Sequence, residues 1–237
     1  MASEVHCIDC LRFIEEGGLK EALGDRKAVL VSDPPFNIGY HYSGYKDRRK
    51  EDDYYQWLAG IIRKAGIPAV IVHYPEALYR IAMSLGKAPE SVASWVYNSN
   101  TARQHRDIAF FGIKPDFSKV RQPYKNPNDK RIKERIARGI GGGRLYDWWN
   151  VDQVKNVSKK NIGHPCVMPS KVMENVIGVL PEEYVVFDPF SGSGTTGIAC
   201  ARLGRDFMGC EIVPEYAELS ERRIEEAVKE RDESERH

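Results

Sequence analysis

The sequence predicts an α/β fold: a doubly wound, mostly parallel sheet with an antiparallel edge. Three observations predict it. Short continuous apolar runs, Ala28-Val29-Leu30-Val31 and Ala69-Val70-Ile71-Val72, have the composition of strands covered on both faces. Residues 185–203 pass from Val185-Val186-Phe187 through an acid and a glycine-rich turn to Ile198, Ala199, Ala201 and Leu203, which recur at helical spacing. Two later segments, Ser94–Tyr97 and Ile108–Phe111, read as a strand pair joined by residues 98–106 and supply the antiparallel part.

In chain order, residues 6–13 are short and mixed, and Phe13 to Gly24 reads as a short helix and turn before the first buried strand. Residues 40–55 hold five tyrosines and many charges but few aliphatics, a composition suited to a mobile loop over a substrate. Tyr54, Trp57, Leu58, Ile61 and Ile62 mark an amphipathic helix ahead of the strand at 69–72. Val172, Met173, Val176, Ile177 and Leu180 mark another, and core packing accounts for them without any ligand. A strand follows at Phe207-Met208-Gly209-Cys210, and the tail after Pro214 is a charged helix with i,i+4 Glu–Arg pairs, expected to be solvated.

A chain of 237 residues fits one domain, 1–237, with 115–160 as a small insertion. Five cysteines in an ordinary composition argue for a reducing compartment rather than a disulfide scaffold. Cys7-Ile8-Asp9-Cys10 is a lone CxxC with no second ligand pair, so no metal is predicted and two buried thiols are expected. Nothing at the N-terminus reads as a signal peptide, and no apolar run approaches the ~20 residues that cross a bilayer. The expectation is a soluble cytoplasmic protein with no membrane partner.

Two stretches carry chemistry. In the first, the buried strand at 28–31 ends in Ser32-Asp33-Pro34-Pro35-Phe36. A carboxylate at the carboxyl end of such a strand lies where open α/β sheets bind ligands, and two prolines fix the backbone beyond it. Asp33 and the Pro34 carbonyl are then two acceptors side by side, suited to an NH2 group, with Phe36 as a flat platform. In the second, Asp188-Pro189-Phe190-Ser191-Gly192-Ser193-Gly194-Thr195-Thr196-Gly197, the glycines let the backbone approach a ligand and the helix start offers unpaired N–H groups. Glu211 ends the next strand nineteen residues past Gly192, placed to accept from ribose hydroxyls and to repel a phosphate.

Together these stretches resemble the amino methyltransferases. Asp33-Pro34-Pro35-Phe36 is similar to their catalytic signature and Asp188 to Thr196 to their S-adenosylmethionine loop. The order, catalytic signature first, resembles the permuted β group of DNA adenine-N6 or cytosine-N4 methyltransferases. The resemblance implies a seven-stranded Rossmann-like sheet and catalytic roles for Asp33, Pro34, Pro35 and Phe36. It implies cofactor contacts from Asp188, Phe190, Gly192, Ser193, Gly194, Thr195, Glu211 and Ile212. Asp9-Cys10-Leu11 resembles the family's segment before the catalytic strand, so Asp9 and Cys10 join the cofactor set. His164-Pro165 with Pro169-Ser170-Lys171 resembles the segment and helix closing the cofactor site, which adds His164 and Ser170. This chain has Met168-Pro169 where the family more often has Lys-Pro. An Asp rather than a Ser at the head of the signature favours adenine over cytosine within the family.

The charge distribution is uneven. Residues 101–160 hold fifteen Lys or Arg against six Asp or Glu, although the whole chain is formally +1. This segment lies where the β group keeps its target-recognition region. Arg121, Lys125, Lys130, Arg131, Arg135 and Arg144 are candidate DNA contacts, and Tyr124, Tyr146, Trp148 and Trp149 are interleaved for base stacking. The resemblance implies double-stranded DNA as substrate, base flipping, and a homodimer; a cognate restriction endonuclease or solitary action both remain open. Gly192, Gly194 and Gly197 also spell G-x-G-x-x-G, but a dinucleotide-dependent oxidoreductase leaves Asp33-Pro34-Pro35 unexplained, and no Lys follows in P-loop register. A catalytically inactive methyltransferase-like DNA-binding subunit is the non-enzyme alternative.

Overall fold

The computed structural model describes residues 2–39, 41–42, 45–154 and 168–236. Its strands are β1 (Ser3–Cys7), β2 (Ala28–Ser32), β3 (His41–Tyr42), β4 (Tyr45–Lys46), β5 (Ala69–His73), β6 (Ser91–Val96), β7 (His105–Phe111), β8 (Arg121–Gln122), β9 (Gly143–Arg144), β10 (Trp148–Asn150), β11 (Val185–Asp188) and β12 (Phe207–Glu211). Its helices are α1 (Cys10–Glu15), α2 (Gly18–Leu23), α3 (Glu51–Ala65), α4 (Pro75–Leu85), α5 (Lys130–Ala137), α6 (Ser170–Gly178), α7 (Thr195–Arg202) and α8 (Pro214–Ser234). Eight strands form one sheet in the order β1-β12-β11-β2-β5-β7-β6-β10. Only β7 runs against the rest of it. Two small hairpins, β3–β4 and β8–β9, stand apart from the sheet.

The central strands divide their side chains between two cores by the two-residue period of the pleat. Val29, Val31, Val70, Val72, Ile108, Phe110 and Val186 face α6, α7 and α8. Ala28, Leu30, Ala69, Ile71, Ala109, Phe111, Val185 and Phe187 face α1 to α4. Each fully buried Val, Leu or Ile contributes roughly 1.5–3 kcal/mol, so this alternation fixes the register of every inner strand. Local signals bound the helices: α3 opens on Glu51, Asp52 and Asp53 and ends at Gly66 with φ +65, and α4 opens on Pro75.

Several elements differ from the sequence reading. The mixed N-terminal segment is an edge strand, β1, paired with β12. Within the CxxC, Cys10 is buried but Cys7 is exposed. The sheet has an eighth strand, β10, drawn from the basic segment; its Trp149 and the nearby Leu145 lie in the core. The C-terminal helix is not simply solvated. Ala217, Ser220, Ile224 and Ala227 of α8 are buried, because Gly197 in α7 has no side chain: a Cβ there would lie 2.3 Å from Ile224 Cδ1. Tyr54 and Tyr55, read as part of a mobile loop, belong to α3 and are buried. Residues before that helix are tied down as well: the Asp47 carboxylate accepts from the Asn37 and Ile38 amides, and Asn37 bonds the Arg49 backbone in both directions.

Candidate active site

The strands β2 and β11 are parallel hydrogen-bonded neighbours, with Ala28, Val29 and Leu30 opposite Val185, Val186 and Phe187. They lie side by side although roughly 150 residues separate them in sequence, because β2 leads outward to β5 on one side while β11 and β12 fill the other. A parallel sheet whose chain order reverses between two strands opens a crevice at their carboxyl ends. The loops leaving β2 and β11 both enter that crevice. About 820 Å³ of space, part of it open to solvent, lies between them.

The cleft is lined by Asp33, Pro34, Pro35 and Phe36 from the first loop and by Asp188, Phe190, Gly192, Ser193 and Thr195 from the second, with Glu211 and Ile212 beyond β12. Gly194 does not line it. That residue caps α7 at φ +81 and packs its backbone on Ser220 of α8. Asp9 and Cys10 also lie outside the lining: Asp9 caps α1 by accepting from the Arg12 amide at 3.0 Å, and Cys10 is turned into the core, where burial pushes its thiol up to about 12. Ser170 opens α6 and its hydroxyl accepts from Arg202 at 3.0 Å, away from the cleft. His164 lies outside the described residues. The sequence reading did not single out Met173, Thr196, Val213 or Tyr216 as cleft residues, all of which line it, as does Met168.

Three carboxylates converge here. Asp33 Oδ1 is out of contact with water and has no hydrogen-bond partner. Burial pushes Asp33 up to about 7, opposed by the Arg106 charge and reinforced by Asp188. Asp188 is raised by burial to about 6, although Thr196 Oγ1 donates to one carboxylate oxygen at 2.5 Å and the Phe190 amide to the other at 3.0 Å. Glu211, also raised by burial, receives the Gly192 amide and the Val213 amide at 2.9 Å each. Among the described residues no Lys or Arg lines the cleft. An acidic pocket without cations suits a positively charged ligand and repels a phosphate.

Behind Phe36 stands a polar arrangement that no local motif signals. The Tyr74 amide donates to His73 Nδ1 at 2.8 Å, so that nitrogen carries no proton. Burial first, then Arg106 and Arg103, holds His73 down at about 3, so the ring is neutral and its proton sits on Nε2. Nε2–H therefore donates to Tyr54 Oη at 2.9 Å, and the Tyr54 hydroxyl donates to the Pro35 carbonyl at 2.7 Å. Arg106, at the start of the antiparallel β7 and so at the same sheet edge, lies 4.5 Å from the Phe36 ring centroid, 5.2 Å from Trp95 and 5.6 Å from Tyr74.

Residues 71–222 match the DNA methylase family of N6 and N4 amino methyltransferases. The chain belongs to that family. Among curated relatives, it is 25% identical over 242 residues to the type II methyltransferase M.HpaI of Haemophilus parainfluenzae, covering 93% of this chain and 72% of that one. It is 25% identical over 244 residues to the DNA adenine methyltransferase YhdJ of Escherichia coli, covering 88% and 80%. Against M.BglII of Bacillus subtilis it is 27% identical and spans 62% of that protein's length. Among solved structures, the cytosine-N4-specific PvuII DNA methyltransferase superposes with a TM-score of 0.64 at 17% identity, covering 98% of this chain and 92% of that one. The complex of M1.HpyAVI with S-adenosylmethionine gives 0.57 at 20% identity, covering 93% and 98%.

The methylase draws its methyl group from S-adenosylmethionine, and the cleft fits that cofactor. It offers carboxylates for a sulfonium, with no cation among its described lining residues, and a close backbone approach at Gly192. Phe190, Ile212, Met168 and Met173 supply apolar walls. Among the described residues no helix is long and apolar enough to span a membrane.

Proposed function

We propose that this methylase transfers a methyl group to the exocyclic N6 amine of an adenine in double-stranded DNA, within a short recognition sequence. The observation that carries the reading is the buried, unpartnered acceptor of Asp33 in the cleft that the glycine turn shares. Gly192, Ser193, Thr195, Asp188, Phe190, Glu211 and Ile212 would hold S-adenosylmethionine, which when bound supplies an electrophilic methyl on a sulfonium. Asp33 and the Pro34 carbonyl accept the two N–H bonds of the amine, drawing its lone pair out of conjugation with the ring, and the Asp33 charge stabilises the cationic nitrogen as it forms. Phe36 stacks on the base, which has left the duplex to reach the cleft. The rest of the machinery is positioning.

The chain acts as one domain, with 115–160 as its target-recognition region and Arg121, Lys125, Lys130, Arg131, Arg135 and Arg144 as DNA contacts. Adenine is favoured by the Asp that opens the signature and by relatives such as YhdJ, named as an adenine enzyme. Cytosine-N4 is the second reading, favoured by the fold likeness to PvuII methyltransferase. Incubation with labelled S-adenosylmethionine and DNA of mixed sequence, followed by nucleoside analysis, separates them: N6-methyladenine is expected, N4-methylcytosine would transfer the chain to the second reading, and no label would refute both.

The polar arrangement behind Phe36 has a role in this reading. The Tyr54 hydroxyl fixes the Pro35 carbonyl and thereby the peptide that presents Pro34. Tyr54→Phe removes that bond and strands the buried His73 Nε2–H. Stability should fall by about 1–3 kcal/mol, and methyl transfer by about tenfold or more as the loop loses its anchor, about 1.4 kcal/mol of positioning, while cofactor affinity, measured by calorimetry, stays the same. A fall in cofactor affinity equal to the fall in rate would contradict the positioning role.

A further inference from the structure

A second recess, with about 750 Å³ of empty space, lies within the basic segment and shares no lining residue with the cleft. One helix walls both: α6 gives Met173 to the cleft and Lys171 and Asn175 to the recess. Four features set this recess apart from a solvated loop. First, Trp148 and Tyr146 are 43% and 39% exposed, and Lys125 Nζ sits 4.5 Å and 5.0 Å from their ring centroids. Second, the shelf they form is anchored, because β10 pairs with β6, and Trp149, buried next to Trp148, donates its indole N–H to the Tyr146 carbonyl at 2.8 Å. Third, the β8–β9 hairpin sets Arg121 directly opposite Arg144. Like charges so placed oppose folding; among the described residues neither arginine has an ion-pair partner and no Asp or Glu lines the recess. Fourth, Asn175, 3% exposed, borders it with an Oδ1 that has no hydrogen-bond partner.

An aromatic shelf under a cation, beside a pair of arginines that lack an anion, matches the chemistry of one ligand class. We infer that this recess binds a nucleotide of a nucleic-acid strand whose base is out of its stack, the base lying on Trp148 and Tyr146 and the flanking phosphates against Arg121, Arg144 and Lys125. A base inside a duplex shows only its edge, so the shelf selects unstacked strand over intact helix. The aromatics of the basic segment thereby divide: Trp148 and Tyr146 face the ligand, while Trp149 and Tyr124, whose hydroxyl donates to the Ile140 carbonyl at 3.3 Å, serve the scaffold. The inference rests on the proposed action on DNA and adds a second nucleotide site to it.

Fluorescence anisotropy with labelled single-stranded and duplex oligonucleotides, at several salt concentrations, tests it. Trp148→Ala should weaken single-strand binding about tenfold with the salt dependence unchanged, as expected for one lost stack, and Trp148→Phe should restore it. The double variant Arg121→Gln/Arg144→Gln should lower the slope of log affinity against log salt by about 1.4, from two phosphates at about 0.7 each. If Trp148→Ala binds single strands within twofold of the wild type while duplex is still bound and methylated, the recess reading is overturned and the proposed function stands. If the wild-type chain binds no DNA of either form, both fall.

Discussion

Asp33→Asn is expected to abolish methyl transfer, by at least about 10³-fold, with S-adenosylmethionine affinity unchanged within a few fold. Removing one preorganised charge-stabilising group from a water-excluded site costs about 10²–10³ in rate. Here the change removes the charge and sets an NH2 donor beside the one acceptor oxygen that an amide keeps. The wild type should show the matching pH dependence. With Asp33 pushed up to about 7, kcat/KM should fall about tenfold per pH unit below neutrality, because the protonated carboxyl donates where it must accept. Stability should move the other way. A carboxyl with its folded pKa above the unfolded value of ~3.9 favours folding fully below that value, and the contribution is lost as pH rises through about 7. An amide at position 33 does not titrate, so the Asn variant should match the wild type in Tm near pH 4 and exceed it by several degrees at pH 8. A calorimetric series from pH 4 to 8 showing equal Tm throughout would mean that the carboxylate is not held at a cost, and the preorganisation argument would fail with it.

The readability of this protein from its sequence follows the range over which each feature is encoded. Both loops are local, since an apolar run, an acid and a run of prolines or glycines sit within a few residues, and both were legible as loops that line a cleft. Their meeting was legible because parallel strands in an open sheet bring carboxyl ends together, and β2 beside β11 does so. The strand β1 was not: an edge strand with one neighbour needs no continuous apolar run, and Ser-Glu-Val-His-Cys shows none. The buried stripe of α8 was hidden by the charges on its other side, and by its dependence on a glycine in α7 that is distant in sequence.

Arg106 marks the limit most clearly. In the sequence it is one charge among many in a basic stretch, yet it lies 9% exposed against aromatic rings from three other parts of the chain, Phe36, Tyr74 and Trp95. Tyr97 adds a ring from nearby in sequence, but Phe36 and Tyr74 lie far from it, so no local pattern encodes that enclosure. The relay from His73 through Tyr54 to Pro35 is of the same kind, assembled from β5, α3 and the catalytic loop. The sequence thus exposes the groups proposed to meet the substrate, whereas the groups that hold them in place become visible only after folding.

Gly194→Ala should be the most damaging change that touches no reacting group. The residue stands at φ +81, where a side chain alone costs about 1–2 kcal/mol. The new Cβ would also lie 2.6 Å from Ser220 Oγ and 3.0 Å from Ser220 Cα, so the obstacle is partly the backbone of α8 on its buried side. Either α8 or the glycine turn must shift. The turn is the weaker party, held by the Ser191–Ser220 hydroxyl contact at 3.0 Å, by the Arg223 guanidinium donating to the Ser193 carbonyl, and by the Gly192 amide on Glu211. Its movement would misplace the groups proposed to hold S-adenosylmethionine, and cofactor affinity should drop by at least about tenfold, equivalent to 1.4 kcal/mol, alongside a lowered Tm. Gly204→Ala provides the control, because Gly204 has the same sign of φ, +64, but its Cβ would meet only Arg231 Nη1 at 3.6 Å, outside the cleft. That variant should lose stability from backbone strain alone and bind cofactor normally. In a double-mutant cycle, Ser220→Gly should recover part of the Gly194→Ala loss by removing Oγ and Cβ, a coupling that independent sites do not show. Strict additivity, or a Gly194→Ala variant no worse than Gly204→Ala, would show that contact with α8 does not set the shape of the turn.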